Sequence, residues 1–565
     1  MQTTEQVRQN HSPLQKEEWR PILIVAGIFF TLCLAIALNR YFTFYASYDQ
    51  GIFNQVMWNS AHGRWFESTL SSQLSTNVVH AQEIPSVSYR RLGQHFTPAL
   101  LLWLPIYKLF PHAFILVVLL VTAIAAAGLV LYILAREYLP PAPARWITFG
   151  YYGANAIIGP ALGNFNDNFQ LPLFVFTLLL AMEKRWWWLF AAMGVCILAI
   201  REDAGLVLFG VGFYMLISRR FPLIGSAVCA VSFGYVLAAT NIIMPLFSDD
   251  ISKRFMLEQF GQFTDAPEAS TVDIIWAMLS NPGVLLKELF TPTDRTISYL
   301  AGHFLPYALI PAIAPSSWVI TGAPLLNLLL GKGNLVLTLH VRYALAIVPG
   351  VCYGTILWWS GETFQNFFRP SRPRTIKTIS PFFRRFWLTC ICLSIFFTAI
   401  SSPNRSLYFA IPDSFDPWIY VSPAQQWKHS QNIRQIMGQI PKDASVAATR
   451  YIVPQLSSRR EIIRVPDLQI LNDENQIDTV DYIVIDFQQL IEYQPAFDGD
   501  WEDLNNYPKI MQSWLDEDLY DLMDFRSGVI LLAKTGLEEL NPEGDRLWKD
   551  YYQTQILPII SEPRD

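Results

Sequence analysis

AFILVVLLVTAIAAAGLVLYILA, residues 113–135, is an unbroken apolar run without one charged side chain. A hydrocarbon core about 30 Å thick asks for roughly 20 such residues in a helix. Backbone polar groups inside lipid must be satisfied within the segment, so the run reads as a transmembrane helix. Comparable apolar stretches lie before it at 22–38 and after it at 146–162, 171–182, 186–200, 206–217 and 222–243. Four more follow at 299–313, 318–330, 343–359 and 386–400. Together they predict an all-α polytopic membrane protein of about eleven transmembrane helices. The composition agrees: of 565 residues 52% are hydrophobic and only 16% charged, which excludes an ordinary soluble domain. Residues 98–110 are apolar but short and interrupted by Pro105, and predict an interfacial or re-entrant helix.

Basic residues give a direction. Short loops rich in Lys and Arg stay in the cytoplasm. With the N-terminus inside, the inner connections carry Arg136 and Arg145, then Lys184 and Arg185, then Arg219 and Arg220. A loop at 361–385 adds Arg369, Arg372, Arg374, Lys377, Arg384 and Arg385. These basic residues therefore reflect topology and give no sign of a nucleic-acid partner. The same phase exports residues 39–97, 164–168, 201–203, 247–298 and 331–342, together with the C-terminal region. The expected organisation is a cytoplasmic tail at 1–20, a transmembrane domain at 21–401 with large exported loops 39–97 and 247–298, and a soluble exported domain at 402–565. The expected location is a bacterial inner membrane. The first apolar stretch runs into Asn39 and Arg40 with no small-residue cleavage signal, so it reads as a retained anchor. All six cysteines fall in apolar stretches, which implies no disulfide framework.

After about residue 401 the chain becomes polar and acidic. Val- and Ile-rich stretches at 445–453, 461–465, 482–486 and 528–533 predict short strands, and apolar spacing predicts helices over 427–440 and 504–522. Strands interleaved with helices indicate a small α/β domain. It carries no phosphate loop, nucleophile elbow or metal-ligand motif. In the second long loop, 273–278 and 282–290 predict amphipathic segments lying on the membrane surface.

The first exported loop carries the most distinctive residues. YDQGIFNQVMWNSAHGRWFES (48–68) and RRLGQHFTPALLLWLPIYKLFP (90–111) resemble an uncharacterised bacterial membrane family, domain-of-unknown-function family 2079. EKRWWWLFAAMGVCILAIREDAGLVLFGVGFYML (183–216) and LHVRYALAIVPGVCYG (339–354) resemble the same family, and PKDASVAATRYIVPQLSSRREIIRVP (441–466) does so more loosely. A more distant resemblance is to the C-type glycosyltransferases, which take sugars from polyprenyl-phosphate carriers. It implies a membrane glycosyltransferase with a lipid-linked sugar donor, membrane lipids and a cell-envelope acceptor as partners.

That resemblance implies a catalytic carboxylate just after the first helix, a placement that Asp49 matches. It implies a second acidic residue in a later exported loop, for which Asp167, Glu202 and Asp203 are the candidates. His95, Asp167, Arg201, Glu202, Asp203 and Arg342 are the expected substrate-binding residues, the arginines offsetting phosphate charge. A divalent cation, Mg or Mn, would be held by Asp49 with Asp167 or Glu202, although no Asp-x-Asp motif stands in the first loop. Each residue also has a plainer reading. Asp49 suits a helix cap, Asp167 a turn between asparagines, and Arg201–Glu202–Asp203 an internally paired junction. His95 suits an interfacial structural role, and Arg342 a snorkelling helix end. A non-catalytic transporter or assembly protein for envelope polysaccharide is the competing function. A transporter places ionisable groups near mid-span and often shows repeated halves, whereas here the polar candidates sit at outer ends and no repeat is seen.

Overall fold

The computed structural model describes residues 16–333, 336–368, 375–400, 411–538 and 540–561. They form a mostly helical protein with several apolar helices and a C-terminal mixed sheet. The chain divides into two compact units. The first draws on Met1–Ala37, Leu92–Pro105 and Val117–Asn404, and the second on Leu38–Arg91, Ile106–Leu116 and Arg405–Asp565. Residues 1–15 of the expected tail, and Arg369, Arg372 and Arg374 of the basic loop, lie outside the described residues.

In the first unit the apolar stretches become helices of unequal length. Among the described residues, Lys16–Phe42, Ala113–Arg136, Pro222–Leu246 and Pro381–Ile400 are long and apolar enough to cross a bilayer. The other expected spans are shorter or interrupted. Residues 146–162 divide into helices Pro141–Tyr152 and Asn155–Leu162 around Gly153 and Ala154. The stretch 299–313 is helical only to Phe304, and Pro306 and Pro311 then turn it into 3₁₀ segments. Residues 98–110 become a 3₁₀ turn, Pro98–Trp103, followed by the short helix Leu104–Leu109. Proline and glycine thus interrupt several of the apolar stretches that hydropathy read as continuous helices.

Close packing here relies on small residues, as membrane helices often require. Helix Ala204–Ile217 packs on Pro222–Ala238 and on Pro315–Leu329. A Cβ on Gly210 would collide with the Ile320 carbonyl, so only glycine allows that approach. Ion pairs tie one end of the helices together. Arg136 meets Glu18 at 3.2 Å, Lys184 meets Glu137 at 2.6 Å, and Arg220 grips Glu183 through paired 2.8 Å bonds. The Tyr353 hydroxyl donates to the same Glu183 carboxylate at 2.5 Å. Helix Leu171–Lys184 ends at this network; its opposite end starts beside Asp167.

The second unit is built on a five-stranded sheet. Its strands are β1 (Val446–Ala448), β2 (Ile462–Arg464), β3 (Tyr482–Asp486), β4 (Tyr520–Arg526) and β5 (Val529–Lys534), in the order β2-β1-β3-β5-β4. β1 pairs in parallel with β2 and β3, whereas β5 runs antiparallel to β3 and β4. Four of the strands fall where Val and Ile predicted them. β4 does not: residues up to 522 were expected to be helical, but the helix Asp498–Asp516 stops and Tyr520 starts a strand.

The last segment of this unit begins at Arg405, close to the boundary expected near residue 401, and the unit also takes in the first loop. Helix Tyr48–Ala61 of the first loop packs against the short helix Val453–Leu456. Phe44, Tyr48, Ile52 and Leu70 share one buried core with Val446, Val484 and Leu531. Polar contacts add to it: Asn54 donates to Ser457 at 2.8 Å, and Gln73 to Asp467 at 2.6 Å. A Cβ on Gly51 would sit 2.7 Å from Val453, so the helix lies directly on its neighbour.

Candidate functional site

In the first unit, the junction between helices Trp187–Leu198 and Ala204–Ile217 gathers most of the residues singled out in the sequence. Glu202 is its hub. Its Oε1 accepts from His95 Nδ1 at 2.9 Å and from Arg201 Nε at 3.2 Å, and its Oε2 accepts from the Phe96 backbone N–H at 3.0 Å. Arg201 also faces Asp203 at 3.4 Å. The His95 ring lies against Phe255 of the second loop, with centroids 5.1 Å apart. The Arg201 and Arg342 guanidiniums both approach the Tyr343 ring, at 5.7 and 5.3 Å.

Asp167 is buried at the start of this assembly, and its charge acts on both Arg201 and Asp203. Its Oδ1 caps the Asn168 N–H at 3.0 Å. Among the described residues, Asp167 Oδ2, Asn166 Oδ1, Asn168 Oδ1 and Arg201 Nη1 are buried without a hydrogen-bond partner. Such atoms cost free energy unless something satisfies them, so each calls for an explanation. Of these residues Asn168 lines a cavity of about 20 Å³, together with Asp203, Asn327 and Tyr343. That volume admits roughly one water.

Arg201 and Glu202 are almost closed off, with side chains 7% and 8% exposed, whereas Asp203 keeps 29% of its side chain open. Asp203 is therefore the accessible carboxylate of the group. Burial raises its proton affinity, Arg201 opposes that, and Glu202 and Asp167 add to it; the carboxyl is held above the usual range. Burial works against the Arg201 charge, and Asp203, Glu202 and Asp167 more than restore it.

The structure thus brings together His95, Asp167, Arg201, Glu202, Asp203 and, through Tyr343, Arg342. Asp49 belongs to the second unit, in the first turn of helix Tyr48–Ala61, where the helix dipole favours a carboxylate. Its neighbour Tyr48 lies under the charges of Arg464, Asp467, Asp49 and Arg91. Tyr343, Asn168 and Asn327 were not singled out in the sequence. Tyr343 directly follows Arg342, and an aromatic beside a cation at a span boundary was its only signal; Asn168 and Asn327 had none.

Of the carboxylates expected to hold a divalent cation, Asp49 lies in the second unit and Asp167 and Glu202 in the first. Both Glu202 oxygens are occupied by N–H donors, and Asp167 offers a single unpartnered oxygen. Among the described residues, no group of three or more His, Cys, Asp or Glu converges as metal ligands.

Comparison with known proteins supplies the family. The chain belongs to the family described as "Predicted membrane protein (DUF2079)", which matches residues 40–531. No curated protein matches it. Among solved structures it is similar to ArnT from Cupriavidus metallidurans bound to undecaprenyl phosphate. That likeness has a TM-score of 0.44 and 10% identity, over 90% of this chain and 98% of the other. It is too distant to carry an activity or residue roles across.

Proposed function

We propose, with membership of this membrane-protein family as the premise, that the chain is a membrane glycosyltransferase. It moves a sugar from a polyprenyl-phosphate-linked donor to a cell-envelope acceptor. The observation that supports this reading is Asp203, an accessible carboxylate of raised proton affinity beside an arginine with an unsatisfied N–H. Asp203 takes the proton from an acceptor hydroxyl or amine as that group bonds to the anomeric carbon. The carbon–oxygen bond to the lipid phosphate breaks, and the phosphate leaves with the electron pair. Arg201 Nη1 and Arg342 are the donors suited to its growing negative charge. Asp167 Oδ2 and Asn168 Oδ1 are free to accept from sugar hydroxyls.

Glu202 and His95 hold the junction in place rather than react. A sugar is larger than the present cavity, so binding requires the walls formed by Pro324, Asn327 and Tyr343 to part. Asp49 keeps a proposed role in the first loop, from its placement alone. The phase of the basic connections supports a cytoplasmic N-terminus and an exported second unit.

A second reading, a transporter for envelope polysaccharide, is favoured by one observation. The helices are interrupted at Gly153 and again after Phe304, as transporter helices often are. The deciding experiment uses purified protein in nanodiscs with a panel of polyprenyl-phosphate sugars, monitoring lipid release. Wild-type protein is expected to release lipid, and Asp203→Asn to lower turnover by about 100-fold or more. Equal turnover of Asp203→Asn and wild type on a verified donor refutes the role of Asp203. Equal turnover of Asp49→Ala removes Asp49 from the chemistry. Sugar crossing a liposome bilayer without lipid release establishes the transporter instead.

A further inference from the structure

In the second unit, the chain after the last long apolar helix forms a hairpin, Ser414–Phe415 paired with Trp418–Ile419. The hairpin has two unlike faces. Ile419 is buried in a cluster with Tyr45, Val421 and Tyr493. Phe415 and Trp418, directly opposite one another in register, point away and are 62% and 63% exposed. Their rings meet edge to face with centroids 5.9 Å apart.

The mounting is firm. Asp413 N–H donates to the Ile419 carbonyl at 2.9 Å, and the Tyr493 hydroxyl donates to the Asp413 carboxylate at 2.7 Å. Two large aromatics held outward on a braced turn are costly in water, because each leaves extensive apolar surface wet.

The position of this hairpin says what it meets. Helix Lys16–Phe42 has 27 residues, so it spans about 40 Å, more than a hydrocarbon core needs. Its apolar run ends at Asn39 and Arg40, which marks the edge of that core. Trp427 Nε1 donates to Asn39 Oδ1 at 2.9 Å, which fixes Trp427, 40% exposed, at the same level. Tyr45, a few residues further on, is the residue on which Ile419 rests. The hairpin is thus joined to the point where the chain leaves the lipid.

We propose that Phe415 and Trp418, with Trp427, seat the second unit on the headgroup layer of the bilayer. The indoles of Trp418 and Trp427 favour that layer, where an apolar face and a polar N–H edge are both satisfied, and the wholly apolar Phe415 ring beside Trp418 gains from leaving water. Asp416 at the tip of the turn keeps the seat shallow: a carboxylate tolerates the headgroup layer but not the hydrocarbon. This seating is independent of sugar transfer.

The test is photocrosslinking of the full-length protein in lipid nanodiscs, with Phe415→p-benzoylphenylalanine and Trp418→p-benzoylphenylalanine. Both positions are exposed, so neither replacement disturbs the core. Lipid adducts are expected to dominate at both. Adducts to protein alone, whether the same chain or a second copy, overturn the proposal. So does the absence of lipid adducts when free probe in the same sample labels lipid. As a second reading, Phe415→Ser with Trp418→Ser is expected to increase hydrogen exchange of residues 411–420 in nanodiscs and leave it unchanged in detergent-free lipid-poor amphipol. Equal exchange of the variant and wild type in nanodiscs also counts against it.

Discussion

Replacing Glu202 with glutamine keeps the shape of the side chain and removes its charge. Three donors meet its two oxygens: His95 Nδ1, Arg201 Nε and the Phe96 N–H. Glutamine has one carbonyl oxygen and one NH₂, so in either orientation a donor faces a donor. If the oxygen stays with His95 and Arg201, the Phe96 N–H is orphaned, at about 1–3 kcal/mol. The retained bonds lose their charge assistance, about 1 kcal/mol each by the same scale. The sum reaches the roughly 3–5 kcal/mol typical of breaking a buried pair. Asp203, 3.4 Å from Arg201 Nε, still offsets part of the arginine charge, which favours the lower end. About 3 kcal/mol corresponds to roughly a 100-fold change in local opening. The assay is hydrogen exchange of the Phe96 amide by mass spectrometry on the peptide containing Leu92–Thr97. Glu202→Gln is expected to speed that exchange by about two orders of magnitude and to lower the thermal midpoint. Unchanged exchange at Phe96 with an unchanged midpoint refutes the hub role of Glu202.

Arg220→Leu leaves the buried Glu183 carboxylate with tyrosine hydroxyls, Tyr353 and Tyr138, but no guanidinium beside it, and is expected to cost about 3–5 kcal/mol. The double replacement Glu183→Leu with Arg220→Leu should recover much of the loss in a thermal unfolding series. In the second unit, His429 Nε2 lies 2.8 Å from Asp486 Oδ2. Burial disfavours the imidazolium, but the Asp486 charge and hydrogen bond outweigh it, with Glu492 adding, so the folded pKa is raised. The pair's stabilisation is therefore full below the unfolded histidine value of about 6.5 and is lost as pH rises through the higher folded value. The thermal midpoint of wild type relative to His429→Gln should fall over that window; a difference that does not vary with pH excludes the pair as its source. Gly51→Ala forces Val453 to yield and should destabilise the second unit by about 1–3 kcal/mol, read as faster proteolysis between the first loop and the sheet.

The membrane character and the strands of the second unit were legible because both rest on local patterns. Apolar runs announce helices, and Val- and Ile-rich stretches announced β1, β2, β3 and β5. β4 was misread because Leu504–Leu522 keeps a helix-like apolar spacing past the true stop, and the pairing with β5 that converts Tyr520–Arg526 to strand is non-local. The breaks at Pro306, Pro311 and Gly153 were not legible, since hydropathy windows average over them. His95, Arg201, Glu202 and Asp203 could be named from the sequence, but not their geometry. Glu202 as a hub depends on a backbone N–H over 100 positions away, which side-chain chemistry cannot signal. The union of the first loop with the C-terminal sheet was also hidden, because its core pairs residues near 50 with residues near 450.

That union sets a clock on biosynthesis. Leu38–Arg91 emerges early, but the strands it packs against follow more than 300 residues later. At roughly 5–20 residues per second, the early segment waits about 20–70 s for its other half. Through that interval the apolar side of helix Tyr48–Ala61, including Ile52, has no sheet to cover it. A chain truncated before Arg405 never ends the wait, so quality control should see the same exposed surface in a premature stop as in a ribosome still translating.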